Sequence, residues 1–318
     1  MAKRPAFLKT KDKVAIVATA RKASYEEVLP LKKLLESWGL EVVLGDTINT
    51  KAEFQLADTD ENRAKDIQRF LDDTEIASIF VARGGYGTVR IIDLLDFSIF
   101  SQYPKWIVGY SDITVLLSHI YFNFNIQSLH ATMGINISNN TSENTPSITS
   151  LKQCLFGEMK SIQWKSNTIM KKNLLNISYQ RKKIVNGDIV CGNLSVLYSM
   201  LGSVSFGDTR GKILMLEDID EYIYHIDRMF MALKRAGKLS DLAALIIGNF
   251  TDLKDNDTPF GKTVDEIVME ITKEYFYPVV FDCPFGHIVD KNTAIINGAK
   301  CILETDSAAN HKLLYYNI

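Results

Sequence analysis

Over the first 130 residues, short β-branched runs alternate with longer stretches of helical period. Val14–Thr19 reads as a buried strand, Leu31–Trp38 as the core of a helix closed by Gly39, Glu41–Leu44 as a strand and Glu61–Leu71 as a helix. Three further strands are predicted at Ala77–Ala82, Trp106–Gly109 and Ser128–Ala131, with helices near Thr88–Leu95 and Asp112–Phe122. Such alternation with short connections predicts a parallel sheet with helices on both faces. The start of the first helix stays open: Ser24-x-x-Glu27 is a capping box, yet Pro30 six residues on removes an internal hydrogen bond.

The stretch Ser138–Ser150 holds hydroxyl and amide side chains with Ile148 as its one aliphatic residue, and is expected to be a linker that builds no core. Beyond it lie short predicted strands at Ser161–Trp164, Ile189–Cys191, Lys212–Leu216, Ala243–Ile247, Val279–Phe281, Ala294–Ile296, Cys301–Glu304 and Lys312–Tyr315. Helices are predicted near Leu194–Leu201, Ile223–Ala236 and Thr263–Tyr275. The expected organisation is an α/β domain over 1–137, a polar linker over 138–150 and a smaller, β-rich domain over 151–318.

Composition narrows the function. The 318 residues suit about two domains. With 36 basic and 38 acidic side chains the formal charge is −2, so no global basic field favours nucleic acid. The longest apolar runs, such as Val14–Val17 and Leu242–Ile247, fall far short of the roughly 20 residues that cross a bilayer. Lysines and Arg4 before Ala18-Thr19-Ala20 mimic a signal peptide. The apolar run from Val14 to Ala18 is shorter than the roughly 7 residues an h-region needs, so a first strand is expected instead. Cys154, Cys191, Cys283 and Cys301 are far apart with no C-x-x-C, which predicts buried thiols in a reducing cytoplasm, neither a zinc site nor a disulfide scaffold.

Candidate chemistry lies just after the strands, because ligands of open parallel sheets gather at their carboxyl ends. One predicted strand runs into Arg83-Gly84-Gly85-Tyr86-Gly87 and another into Gly109-Tyr110-Ser111-Asp112-Ile113-Thr114. Glycines there let backbone N–H groups approach a ligand. A dinucleotide site is disfavoured, since the first strand ends without its glycines. A tight turn without chemistry is the plainer alternative. Ser111 has a glycine two positions before it, as in a nucleophile elbow, but Ile113 stands where the second glycine belongs. Ser111 as nucleophile and Ser111 as helix cap both remain open.

A nucleophile needs a base. His119, His225 and His311 sit in bland surroundings, whereas His130 and His287 follow predicted strands and can face such a site. Glu217 closes the apolar strand Ile213–Leu216, where an acid is costly unless paired. A solvated turn of Glu217, Asp218, Asp220 and Glu221 is the alternative. A metal reading of that cluster with His225 lacks any standard ligand spacing.

Five ordered blocks then resemble one family: Arg83–Gly87, Gly109–Thr114, Gly192-Asn193-Leu194-Ser195, Leu216-Glu217-Asp218 followed by Ile226-Asp227-Arg228-Met229, and Pro284-Phe285-Gly286-His287. They are similar to the LD-carboxypeptidase family of serine peptidases, which includes the microcin-immunity peptidases, from about Lys11 to the C-terminus. The resemblance implies Ser111 as nucleophile, His287 as base and then acid, Glu217 as the carboxylate orienting it, and an oxyanion hole from the N–H groups of Gly85 and Asp112. It gives His130 a structural role. The implied substrate is a murein tetrapeptide that loses its terminal D-alanine in cell-wall recycling, without metal or organic cofactor. Arg83 or Arg228 is expected to hold its carboxylate, with Tyr86 and Asn193 nearby, and the family suggests a homodimer. The absence of tryptophan from Asn173–Gly187, which has Tyr179, favours the cell-wall branch over cleavage of aminoacyl-nucleotide analogues. A non-enzymatic two-domain protein closing on a small ligand is the alternative from another class.

Overall fold

The computed structural model describes residues 1–51, 54–166, 183–288 and 290–316. The first sheet takes β1 (Lys13–Val17), β2 (Glu41–Leu44), β3 (Ile76–Val81), β4 (Trp106–Gly109) and β5 (Ser128–His130), all parallel, in the order β5-β4-β3-β1-β2. Apart from the edge strand β2, these short strands are buried on both faces, which is why their sequences read as continuous apolar runs.

The connecting helices are α1 (Tyr25–Ser37), α2 (Asp60–Asp72), α3 (Ser98–Gln102) and α4 (Thr114–Phe124). The Ser24 capping box is formed and Pro30 lies inside α1. The missing N–H leaves only the Glu26 carbonyl without its helical partner, while burial of Val28, Leu31, Leu34 and Leu35 holds the helix on the sheet. The helix predicted near Thr88–Leu95 is instead two single 3₁₀ turns, Thr88–Arg90 and Ile92–Leu94. The helix predicted from Asp112 opens as a 3₁₀ turn, Ser111–Ile113, before α4 begins.

The linker expectation fails in part. Pro146–Phe156 is a helix, α5, with Thr145 Oγ1 accepting from Ile148 N–H at 3.4 Å, Pro146 in the first turn and Gly157 ending it at φ +80°. Ser147, Ile148 and Ser150 are buried, so the polar composition concealed a capped helix rather than a free connection.

The second sheet contains β6 (Ser161–Lys165), β7 (Lys183–Asn193), β8 (Ile213–Ile219), β9 (Ala244–Thr251), β10 (Val279–Val280), β12 (Lys300–Thr305) and β13 (Asn310–Tyr315), in the order β10-β9-β8-β7-β12-β13-β6. β7 to β10 pair in parallel, and the β7–β12–β13–β6 side is antiparallel. Among the described residues its helices are α6 (Leu194–Ser199), α7 (Ile223–Arg235) and α8 (Val264–Thr272). The remaining strand, β11 (Ile295–Asn297), leaves this half and joins the first sheet antiparallel to β5, with Ile295 opposite His130. The first sheet is therefore not built from the first 137 residues alone.

Helix α4 lies between the halves. Every residue from Thr114 to Tyr121 is buried, and the helix packs on β5, β7 and α6, as expected of a segment apolar all round. At its start the carboxyl edges of the two sheets touch: Asn193 N–H donates to Thr114 Oγ1 at 3.0 Å, and a Cβ on Gly192 would stand 2.3 Å from Thr114 Cγ2.

Candidate active site

Ser111 follows β4 by two residues and has φ +62°. A left-handed conformation at a non-glycine residue costs about 1–2 kcal/mol, and such strain persists where the surroundings impose it. Here they do. Asp112, buried beside the serine, accepts from Gly87 N–H at 3.2 Å and Thr88 N–H at 2.9 Å, tying the turn after β4 to the glycine turn after β3. A Cβ on Gly84 would lie 3.2 Å from Ser111 Cβ and 3.3 Å from its Oγ, so the glycine makes room for the serine. The hydroxyl does not cap: Tyr110 occupies the cap position of the 3₁₀ turn, with no side-chain cap bond there or at α4. No backbone hydrogen bond uses the N–H of Gly85 or Asp112 among the described residues.

Glu217 comes from β8, opposite Asn193 of β7 in register, and is fully buried. Its Oε2 accepts from His287 Nδ1 at 2.7 Å. Gly286, at φ +108°, permits this approach, since a Cβ there would meet Glu217 Cβ at 2.7 Å and Oε2 at 2.8 Å. Burial pushes the Glu217 carboxyl up, but the neighbouring imidazoles, His287 foremost, outweigh it and hold it below the ordinary carboxylate range. Burial likewise pulls His287 down, and the charge of Glu217 overcomes it, leaving the imidazole above its usual value.

The ring of Tyr110 bridges the halves: its centroid lies 4.7 Å from that of His287 and 5.6 Å from that of His130. Ser111 is thus one residue from the side chain that packs on His287. No hydrogen bond joins Ser111 to His287 among the described residues. His130, at the end of β5, is fully buried with Nε2 3.7 Å from Glu217 Oε1, too long for a hydrogen bond. Neither of its ring nitrogens nor Glu217 Oε1 has a hydrogen-bond partner among the described residues.

Asn193 is buried, and its Nδ2 donates to Asp218 Oδ1 at 2.8 Å. Asp218 also accepts from the N–H groups of Ser195 and Ile219, each at 2.9 Å. Burial first, then the charge of Glu217, pushes its carboxyl up to about 7 despite those three donors.

The remaining candidates lie elsewhere or are occupied. Arg83 meets Glu27 at 3.4 Å, Tyr86 is exposed, and Arg228 is exposed with its guanidinium 5.5 Å above the Tyr224 ring. His119 bonds Ser205 Oγ at 2.9 Å, His225 bonds Glu221 at 2.6 Å one helical turn away, and His311 bonds Ser166 Oγ at 2.8 Å. Tyr179 lies outside the described residues.

A strained serine after a parallel strand, with a carboxylate-paired histidine on the adjoining sheet edge, suits acyl-transfer chemistry. Comparison with known proteins agrees. Residues 14–131 match the family model for the LD-carboxypeptidase N-terminal domain, and residues 186–303 match that for the LD-carboxypeptidase C-terminal domain. The chain belongs to the LD-carboxypeptidase family. LD-carboxypeptidases are serine peptidases, so the protein is an enzyme of that class. It is 30% identical over 306 residues to a probable murein peptide carboxypeptidase of Bacillus subtilis (strain 168), covering 95% of this chain and 92% of the relative. The crystal structure of the muramoyltetrapeptide carboxypeptidase from Oxalobacter formigenes superposes with TM-score 0.82 at 25% identity, covering 96% of this chain and 99% of that one. A structure of MccF in complex with glutamyl sulfamoyl guanosine has TM-score 0.83 at 20% identity over 99% and 98% of the two chains, a likeness of fold. No helix among the described residues is long and apolar enough to cross a membrane.

Three side chains of the candidate site have roles that the sequence alone does not assign: the Asp112 carboxylate, Thr114 and Asp218. Asp112 is the neighbour of Ser111 and Asp218 the neighbour of Glu217, and a buried acid beside a candidate site residue is the signal the sequence offers for each. Thr114 gave none, since its role is a contact with Asn193, 79 residues away.

Proposed function

We propose that the chain is a serine LD-carboxypeptidase that removes the terminal D-alanine from murein tetrapeptides in cytoplasmic cell-wall recycling, with Ser111, His287 and Glu217 as its catalytic groups. The observation that supports this most is the 2.7 Å contact of His287 with the buried Glu217 on the edge that adjoins the Ser111 turn. An ionised carboxylate only accepts, so His287 Nδ1 carries the proton and Nε2 is left with a lone pair. Ser111 Oγ attacks the scissile carbonyl carbon while its proton passes to Nε2. The oxygen that gains the electron pair is stabilised by the N–H groups of Gly85 and Asp112. Collapse breaks the C–N bond, and the imidazolium protonates the leaving amine, so D-alanine departs. Water, deprotonated by the same nitrogen, then releases the acyl group and restores Ser111.

Incubation with murein tetrapeptide is expected to release free D-alanine, and Ser111→Ala to abolish the release. Hydrolysis of an aminoacyl sulfamoyl nucleotide without release of D-alanine would assign the chain to the other branch instead. Failure of a serine-directed phosphonate to label Ser111 would remove the serine from the chemistry altogether.

A further inference from the structure

A carboxypeptidase must recognise the free carboxylate that ends its substrate, and three arginines around this edge already face a carboxylate of the chain. Arg83 meets Glu27, Arg90 meets Asp60 at 2.6 Å, and the buried Arg63 pairs with the same Asp60. Arg21 differs. It stands after β1, its N–H donates to Gly84 O at 3.4 Å, and β1, β3 and β4 are neighbours in the sheet. Arg21, the glycine turn and Ser111 thus follow the carboxyl ends of three adjacent strands.

The packing is specific. A Cβ on Gly85 would stand 2.5 Å from Arg21 Cδ and 2.6 Å from its Nε, because the arginine stem fills the space a side chain would take. The preceding glycine leaves room for Ser111 in the same way. Two consecutive glycines therefore bring the guanidinium stem and the hydroxyl against one turn, and Gly85 also offers its N–H there. Arg21 has no acidic partner among the described residues. With the Gln55 amide oxygen turned toward it, Gln55 accepts from Nε at 3.1 Å and Nη2 at 2.9 Å. That neutral contact orients the fork without cancelling its charge. It engages two of the five N–H donors and leaves the others for a planar, two-oxygen anion.

We propose that Arg21 binds the terminal carboxylate of the substrate and so makes this site a carboxypeptidase rather than an endopeptidase. The inference rests on the serine LD-carboxypeptidase reading above and assigns the anchor that Arg83, held by Glu27, does not supply. Lysine at this position provides a point charge without the fork, so it preserves only part of the selectivity.

The test is equilibrium binding to Ser111→Ala protein, comparing murein tetrapeptide with the same peptide ending in a carboxamide. A charge-assisted pair predicts that the acid binds about tenfold or more tightly than the amide. Adding Arg21→Gln is expected to erase that preference, and Arg21→Lys to keep a fraction of it. In the Ser111 enzyme, Arg21→Gln should still be labelled by a serine-directed phosphonate, which shows the turn intact. An unchanged acid-to-amide ratio in Arg21→Gln, with D-alanine still released by the parent enzyme, overturns the role of Arg21 alone. No binding of either peptide, together with no labelling of Ser111, overturns this inference and the catalytic reading together.

Discussion

His287 Nδ1 rests 2.7 Å from Oε2 of Glu217, a carboxylate with no exposed surface. Burying a lone carboxylate costs several kcal/mol, so the pair gives Glu217 its reason to be charged there and fixes which nitrogen of His287 holds a proton. Replacing Glu217 by Gln keeps the shape and removes the charge that, in the proposed mechanism, stabilises the imidazolium during acyl transfer. The expected loss in kcat is about 10²–10⁴-fold, by analogy with the orienting carboxylate of serine peptidases, with the fold retained. D-alanine release followed alongside circular dichroism checks this; near-normal turnover would remove Glu217 from the mechanism.

The same pair sets the pH response. In the proposed mechanism the raised imidazole must be neutral to accept the Ser111 proton, so kcat/KM is expected to fall as pH drops, with a midpoint above 6.5. The stability contributed by the charged pair runs the other way: it is complete below the ordinary histidine value and fades as pH rises through the raised one. In Glu217→Gln the acid limb is expected to move down. A rate profile of the parent enzyme with its midpoint at or below 6.5 contradicts the pairing.

His130 touches Glu217 from the other side without hydrogen bonding to it. Its burial at the end of β5, opposite Ile295, suits packing rather than proton transfer. His130→Leu is expected to lower kcat/KM less than about tenfold, well short of the Glu217→Gln effect, and to leave phosphonate labelling of Ser111 in place. Loss of labelling in His130→Leu, with the protein still folded, would mean that the base had been misassigned.

Asp112 binds the glycine turn to the serine turn through two buried backbone donors. Removing its carboxylate leaves both unpaired, at about 1–3 kcal/mol each. Asp112→Ala is therefore expected to lose about 2–4 kcal/mol of stability, and Asp112→Asn, which keeps one acceptor, about half of that. Urea unfolding measures the difference; an Asp112→Ala midpoint equal to the parent's would show that water or another group replaces the carboxylate.

Much of this was legible from local pattern. The strands of the first sheet are apolar runs bounded by glycine or polar residues, and they fold within one or two residues of where that pattern puts them. What local pattern could not carry is pairing at a distance. β11 reads as one more strand of the second half, yet its partner is His130, 165 positions earlier. Helix α5 was hidden because Thr, Ser and Pro signal a loop by composition and a helix start by position. In the candidate site, Gly-x-Ser marked the serine turn, and family resemblance linked Glu217 to His287. Arg83 drew attention as a cation beside glycines, but Glu27 claims it, and only packing distinguishes it from Arg21.

Gly286 offers a separation of backbone strain from site geometry. At φ +108° alanine is strained by about 1–3 kcal/mol, and its Cβ would also press on Glu217 Cβ and Oε2, at 2.7 and 2.8 Å. Gly202, at φ +87°, carries similar backbone strain with nothing within 4 Å of an added Cβ. Gly202→Ala is thus expected to lower stability and leave turnover of the remaining folded enzyme unchanged. Gly286→Ala should lower stability at least as much and also reduce kcat by about 10²-fold, because a displaced carboxylate misaligns His287. Thermal unfolding and D-alanine release measured on both variants decide it. Equal turnover in the two would mean that the contact of Gly286 with Glu217 does not position the histidine.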